Sequence, residues 1–256
     1  MILTIAGKEL KSLFASPLAW MVLTAVQLIA GYAFLKRLDD FLQIQPQLVQ
    51  LASPPGVTEL VVGPLFATTA MVLLFAVPLL AMRSIAEERR NQTMVFLTSA
   101  PISITQIVLG KFLGLAVFIA LIVTLITAMP LALAATTRLD YGLIACLFAG
   151  VLLIAAGFAA VSLYVSSLTT YPMAAAFGAF ATLLLMVFMG EAAGDGLRAR
   201  GWPLPAALAQ VFSPLKNFEP LGKGLVDSYA IACSVLLIVF FIVLSVRRLD
   251  ARRLRG

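Results

Sequence analysis

The sequence predicts an all-α integral membrane protein with six transmembrane helices. Hydrophobic residues make up 62% of the chain and charged residues only 12%, with a mean hydropathy of +1.05. Soluble domains carry about 45–50% apolar and about 25% charged residues. Long stretches lack Asp, Glu, Lys and Arg altogether, and a hydrocarbon core of ~30 Å is crossed by ~20 mostly apolar residues. Helices rather than strands follow because lipid offers backbone groups no outside partner, and the short alternating segments of a barrel are missing.

The charge-free stretches apolar and long enough to hold spans are 12–35, 60–82, 112–137, 141–190 and 228–246. The first holds span one, placed at 17–37 because Ser16-Pro17 favours a break before it. Residues 2–14 ahead of it carry Ile2, Ile5, Ala6, Leu10, Leu13 and Phe14 on one helical face, with Thr4, Lys8 and Lys11 opposite. That pattern predicts an interfacial elbow helix, its lysines toward the headgroups. A cleaved signal peptide would have an apolar core of about 7–15 residues. The run here is longer and reads as an uncleaved span. Span two is 60–82 and span three 108–135. The 50-residue run 141–190 holds spans four (141–166) and five (172–190), divided where Ser166-Ser167-Leu168-Thr169-Thr170-Tyr171-Pro172 suits a turn. A punctuated stretch, 191–227, precedes span six (228–246), and 247–256 is a basic tail. The whole chain, 1–256, reads as one membrane domain.

Six spans put both termini on one side. That side carries 11 basic and 4 acidic residues, a net +7; the other carries 7 and 8, a net −1. The positive-inside rule then places both termini in the cytoplasm. The overall charge of +6 is read as this bias and not as a nucleic-acid surface.

Several chemistries lack their residues. There is no histidine, the commonest general base and metal ligand near neutral pH. Cys146 and Cys233 lie in apolar runs without metal-ligand spacing. The sequence therefore nominates no catalytic and no metal residues. A phosphate-binding loop needs Gly-x-x-x-x-Gly-Lys-Ser/Thr. Gly110-Lys111 is followed by Phe112, with Thr105 where the first glycine belongs, and Gly222-Lys223-Gly224 also fails. The spans hold almost no ionisable groups; Glu59, Lys111, Glu191 and Asp227 fall at their edges. Ion-coupled carriers usually place such groups within the membrane.

The stretch from 83 to 111 is the most informative. It opens on Glu87-Glu88-Arg89-Arg90, continues through Met94-Val95-Phe96-Leu97, and reaches Pro101 with Ser103 as a candidate N-cap. It reads either as a helix along the cytoplasmic face with an apolar ridge for a partner, or as a solvated loop. A wall of Phe66, Met71, Phe75, Met173, Phe177 and Phe180 runs through spans two and five. It reads either as a path for amphipathic cargo such as a lipid, or as ordinary packing and lipid contact. Gly110, Gly114, Gly157, Gly178 and Gly190 are candidate points of close helix approach.

At these residues the chain resembles the membrane permease subunit of ABC-2 type ABC transporters, most nearly the gliding-motility-associated branch. The matching runs are Gly7-Lys8-Glu9-Leu10-Lys11 through Ser16-Pro17, and Met82-Arg83 with Ala86-Glu87-Glu88-Arg89, Thr93 and Leu97-Thr98-Ser99. Further on they are Pro101-Ile102-Ser103, Val108-Leu109-Gly110-Lys111, Ser166-Ser167-Leu168-Thr169, Ser213-Pro214, Phe218, and Gly224-Leu225-Val226-Asp227. Gln92 and Met94 depart from the glycine and glutamate usual there. The resemblance implies a cytoplasmic coupling helix between spans two and three, within 83–107, that docks on a separate ATPase. Arg83, Glu87, Glu88, Arg89, Arg90 and Thr93 would be its contacts, with Lys8 and Glu9 of the elbow as a second contact. It implies re-entrant short helices within 191–227, ATP and Mg bound only in two copies of the partner ATPase, and a second permease subunit in a homo- or heterodimer. The location implied is the bacterial cytoplasmic (inner) membrane, and the activity implied is an exporter's. The alternative it leaves is a membrane scaffold of an ATPase-driven mechanical complex, which would come with an auxiliary subunit bearing a large outer domain.

Overall fold

A computed structural model describes residues 1–48, 56–90, 103–135, 137–202 and 211–253. Its regular structure is all helical among those residues, with six helices long and apolar enough to cross a membrane. Helix α1 spans Ile2–Phe14. The chain breaks at Ala15-Ser16, and Pro17 opens α2, Pro17–Leu48, since proline lacks the N–H that a first turn leaves unpaired anyway. A π-turn at Thr58–Val62 leads into α3, Gly63–Met82, and a second π-turn at Arg83–Glu87 leads out of it into a short helical turn, Glu88–Arg90. Then come α4 (Ile104–Leu131), α5 (Tyr141–Leu168), α6 (Pro172–Ala199), the short α7 (Pro214–Gly222) and α8 (Ser228–Arg253).

Local chemistry sets the starts of these helices. Ser103 caps α4 in a reciprocal box: its hydroxyl accepts from the Gln106 N–H at 3.3 Å, and the Gln106 side chain accepts from the Ser103 N–H at 3.4 Å. Asp140 caps α5, accepting from the Leu143 N–H at 3.1 Å. Pro172 starts α6 just after α5 ends at Leu168. Several helices outrun the lipid-crossing segments expected above: α2 continues past 37 to Leu48, α6 past 190 to Ala199, and α8 past 246 to Arg253. The hydrogen-bond ladder does not stop at the edge of lipid, and polar pairs such as Gln43 with Asp39 at 3.1 Å, one turn apart, suit the extended part.

Helix α5 is the hub, packing against α3, α4, α6, α7 and α8. Its buried side sets small residues, Gly150, Ala155, Gly157, Ala159 and Ala160, among larger ones such as Leu147, Ile154 and Phe158. The apolar membrane-crossing window of α5 is 61% buried, against 28% for those of α2 and α6, so the outer helices present apolar faces to their surroundings. Within 191–227, α7 folds back onto α5 and α8, with Phe218 and Leu221 buried. Residues 203–210 of the expected short-helix pair lie outside the described residues.

The bundle has two distinct ends. Residues 2–16, 83–90, 103–111 and 163–176 gather at the end that also holds Leu249 near the C-terminus. The starts of α3 and α5 and the end of α7 gather at the other.

Candidate functional site

The termini-bearing end carries a compact charged junction. Lys111, on the first turns of α4, is only 1% exposed. Burying an ammonium is expensive unless it is paired and hydrogen-bonded, and here three groups surround it. Its Nζ lies 2.9 Å from Glu88 Oε1 and 3.2 Å from Glu9 Oε2, and donates to the Ser84 carbonyl at 2.6 Å. The Ser84 hydroxyl in turn donates to Glu9 Oε1 at 2.5 Å. Lys8, on the exposed side of α1, approaches Glu88 Oε1 at 3.8 Å. Among these described side chains two cations thus face two anions.

What matters is which elements these groups belong to. Glu9 is on α1, Ser84 and Glu88 are on the segment leaving α3, and Lys111 is on α4. Neighbouring bonds extend the set: Arg83 donates to the Ser16 hydroxyl in the α1–α2 break, and the Ala86 N–H donates to Ser166 Oγ at the end of α5 at 3.1 Å. Ser166 Oγ also donates to the Met82 carbonyl at 3.4 Å. Beneath them Ile85 and Ala86 are fully buried, Ile85 among Ile104, Val108, Leu163 and Leu249, and Ala86 among Met82, Ala175 and Ala176. The π-turn at Arg83–Glu87 sits at the centre, a wider turn of the kind common at functional sites.

Two glycines make the junction possible. A Cβ on Gly110 would lie 2.7 Å from Ile5 Cβ and 3.1 Å from the Ile2 carbonyl oxygen. One on Gly114 would lie 2.8 Å from Glu9 Cβ and 2.9 Å from the Ala6 carbonyl oxygen. This Gly-x-x-x-Gly face lets the backbone of α1 rest on α4, which brings Glu9 within reach of Lys111. Gly190 also makes a close approach, to Ser213, and Gly178 and Gly157 looser ones.

The sequence-nominated contact residues divide on inspection. Glu9 and Glu88 turn inward onto Lys111; Lys8 and Arg90 are exposed. The backbone at Glu87 and Arg89 is helical, but their side chains, like Thr93 and the ridge at 94–97, lie outside the described residues. Lys111, the centre of the cluster, was read from sequence only as a residue at a span edge. The available signal was a lone lysine between two glycines four apart.

The apolar wall divides too. Phe66 is fully buried in the core, whereas Met71 and Phe75 on α3 and Met173 and Phe177 on α6 are exposed. Phe180 stacks on Phe75 at 4.6 Å between ring centroids, joining the two helices into one apolar face.

A family model described as ABC-2 family transporter protein matches residues 3–254. No curated protein matches the chain.

Proposed function

Since the chain belongs to the ABC-2 family of transporters and is a membrane permease subunit of that family, we propose that it exports an amphipathic substrate using ATP hydrolysed by a separate cytoplasmic ATPase. The junction around Lys111 carries this reading. It ties the start of the 83–107 segment to the elbow helix, to α4 and, through Ser166, to the hub helix α5. A partner that displaces 83–90 would therefore move these elements together and not bend a free loop.

In this reading two ATPase copies, with their ATP and Mg, dock on the 83–107 segments of two permease subunits. Glu87, Arg89, Arg90 and Thr93 face the ATPase, with Lys8 beside them. Glu9 and Glu88 hold the segment to Lys111. Nucleotide binding shifts the population between two arrangements of the permease pair, by differential affinity for them. The exposed face of Met71, Phe75, Met173 and Phe177 lines the cargo route or meets the second permease subunit. Both termini lie in the cytoplasm of a bacterium, and the gliding-motility-associated branch supplies the nearest pattern of motifs.

The test is reconstitution with a co-purifying ATPase. Changing Glu87 and Arg89 together to alanine abolishes permease-stimulated ATP hydrolysis while leaving the ATPase's own basal rate intact. Stimulation that survives the double change removes the docking assignment.

A further inference from the structure

At the opposite end of the bundle lies a cavity of about 690 Å³, between the first turns of α3, the start of α5 and the end of α7. That volume falls within the ~300–1,000 Å³ typical of small-molecule sites. Five of its twelve lining residues are glycine, so few side chains fill it.

Its charged side chains are of both signs: Glu59, Arg138, Asp140 and Lys223. Asp140 is partly committed, since its N–H donates to Thr58 Oγ1 at 3.0 Å and its carboxylate caps α5. Lys223 pairs with Glu219 at 2.8 Å, an exposed pair one turn apart that is worth little in such a setting and is readily exchanged. The side chains of Glu59 and Arg138 have no hydrogen-bond or ion-pair partner among the described residues. The site lies where two spans begin, at Thr58 and Tyr141. Tyr141 and Tyr229, both exposed, stand at the starts of α5 and α8, as tyrosines of a headgroup-level belt do.

We propose that this cavity binds the headgroup of a zwitterionic phospholipid with a primary ammonium, of the phosphatidylethanolamine type. Arg138 and Lys223 receive the phosphate, and Glu59 receives the ammonium. A lone anion would meet the field of Glu59 and Asp140 without compensation, and a lone cation that of Arg138 and Lys223. A molecule carrying both charges a few ångströms apart satisfies both. The site depends on the bundle lying in a bilayer and not on the transport reading above.

Cys146 lines the cavity, half-buried, whereas Cys233 is buried in α8. With Cys233 changed to serine in the full-length protein in detergent, the alkylation rate of Cys146 by a charged thiol reagent reports occupancy. Dihexanoyl-phosphatidylethanolamine slows it at least threefold. Dihexanoyl-phosphatidylglycerol and inorganic phosphate do not, and Glu59→Gln or Arg138→Gln each removes the protection. Both changed side chains are exposed, and unaltered elution in size-exclusion chromatography confirms that the variants fold. No slowing, equal slowing by phosphatidylglycerol or phosphate, or protection that survives both substitutions overturns the proposal.

Discussion

Replacing Lys111 by methionine leaves an unbranched apolar side chain one atom shorter, and removes the charge together with the N–H donors that reach Glu9, Glu88 and the Ser84 carbonyl. Two carboxylates, Glu9 and Glu88, then face each other at a site where their side chains are 13% and 17% exposed. Removing one partner from a buried ion pair typically costs about 3–5 kcal/mol, chiefly because the remaining charge is stranded. The slight water access of the carboxylates argues for the lower figure, about 3 kcal/mol. At about 2–4 °C per kcal/mol for a chain of this size, the apparent melting midpoint in detergent falls by about 6–12 °C. Irreversible unfolding is expected of such a protein, so midpoints are compared at one scan rate. The decisive control is the triple variant Lys111→Met, Glu9→Gln, Glu88→Gln. With no charge left buried, it recovers at least half of the loss. A single variant within 2 °C of the parent, or a triple variant no better than the single, refutes the claim that the junction is held by buried charge.

Gly114→Ala forces a Cβ to within 2.9 Å of the Ala6 carbonyl oxygen, a backbone atom that cannot rotate away. It costs about 1–3 kcal/mol and speeds trypsin cleavage at Lys8 and Lys11. Gly7→Ala, whose Cβ meets nothing within 4 Å, is neutral or stabilises α1 by up to about 1 kcal/mol; equal effects at the two positions would contradict the close packing. Ser166→Ala removes the acceptor of the buried Ala86 N–H and lowers stability by about 1–3 kcal/mol, read as a lower melting midpoint. In intact cells carrying a variant without Cys146 and Cys233, an impermeant maleimide labels Lys223→Cys and not Lys8→Cys; the reverse pattern would invert the orientation.

Much of this architecture was legible before any coordinates. Formal charges are so costly in lipid that the charge-free runs located all six helices. Ser16-Pro17, Ser103 and Tyr171-Pro172 marked helix starts because capping and proline chemistry are local. The ends of α2, α6 and α8 were less legible, because periodicity marks where lipid is crossed and not where the hydrogen-bond ladder stops. The 83–111 stretch was ambiguous between a partner ridge and a solvated loop. Its composition carries both charge and apolar residues, and nothing local says which of them face inward.

The sequence by itself determined that this chain is a helical membrane bundle, how many times it crosses, and where its charges concentrate. Those properties depend on the residue's own transfer energy and its near neighbours. Only the tertiary structure decided that Glu9 and Glu88 share Lys111, that Gly110 and Gly114 seat α1 on α4, and that Phe66 is core while Phe177 is surface. Those facts join residues about a hundred positions apart, as Lys111 and Glu9 are, and a contact of that range exists only once the helices have packed.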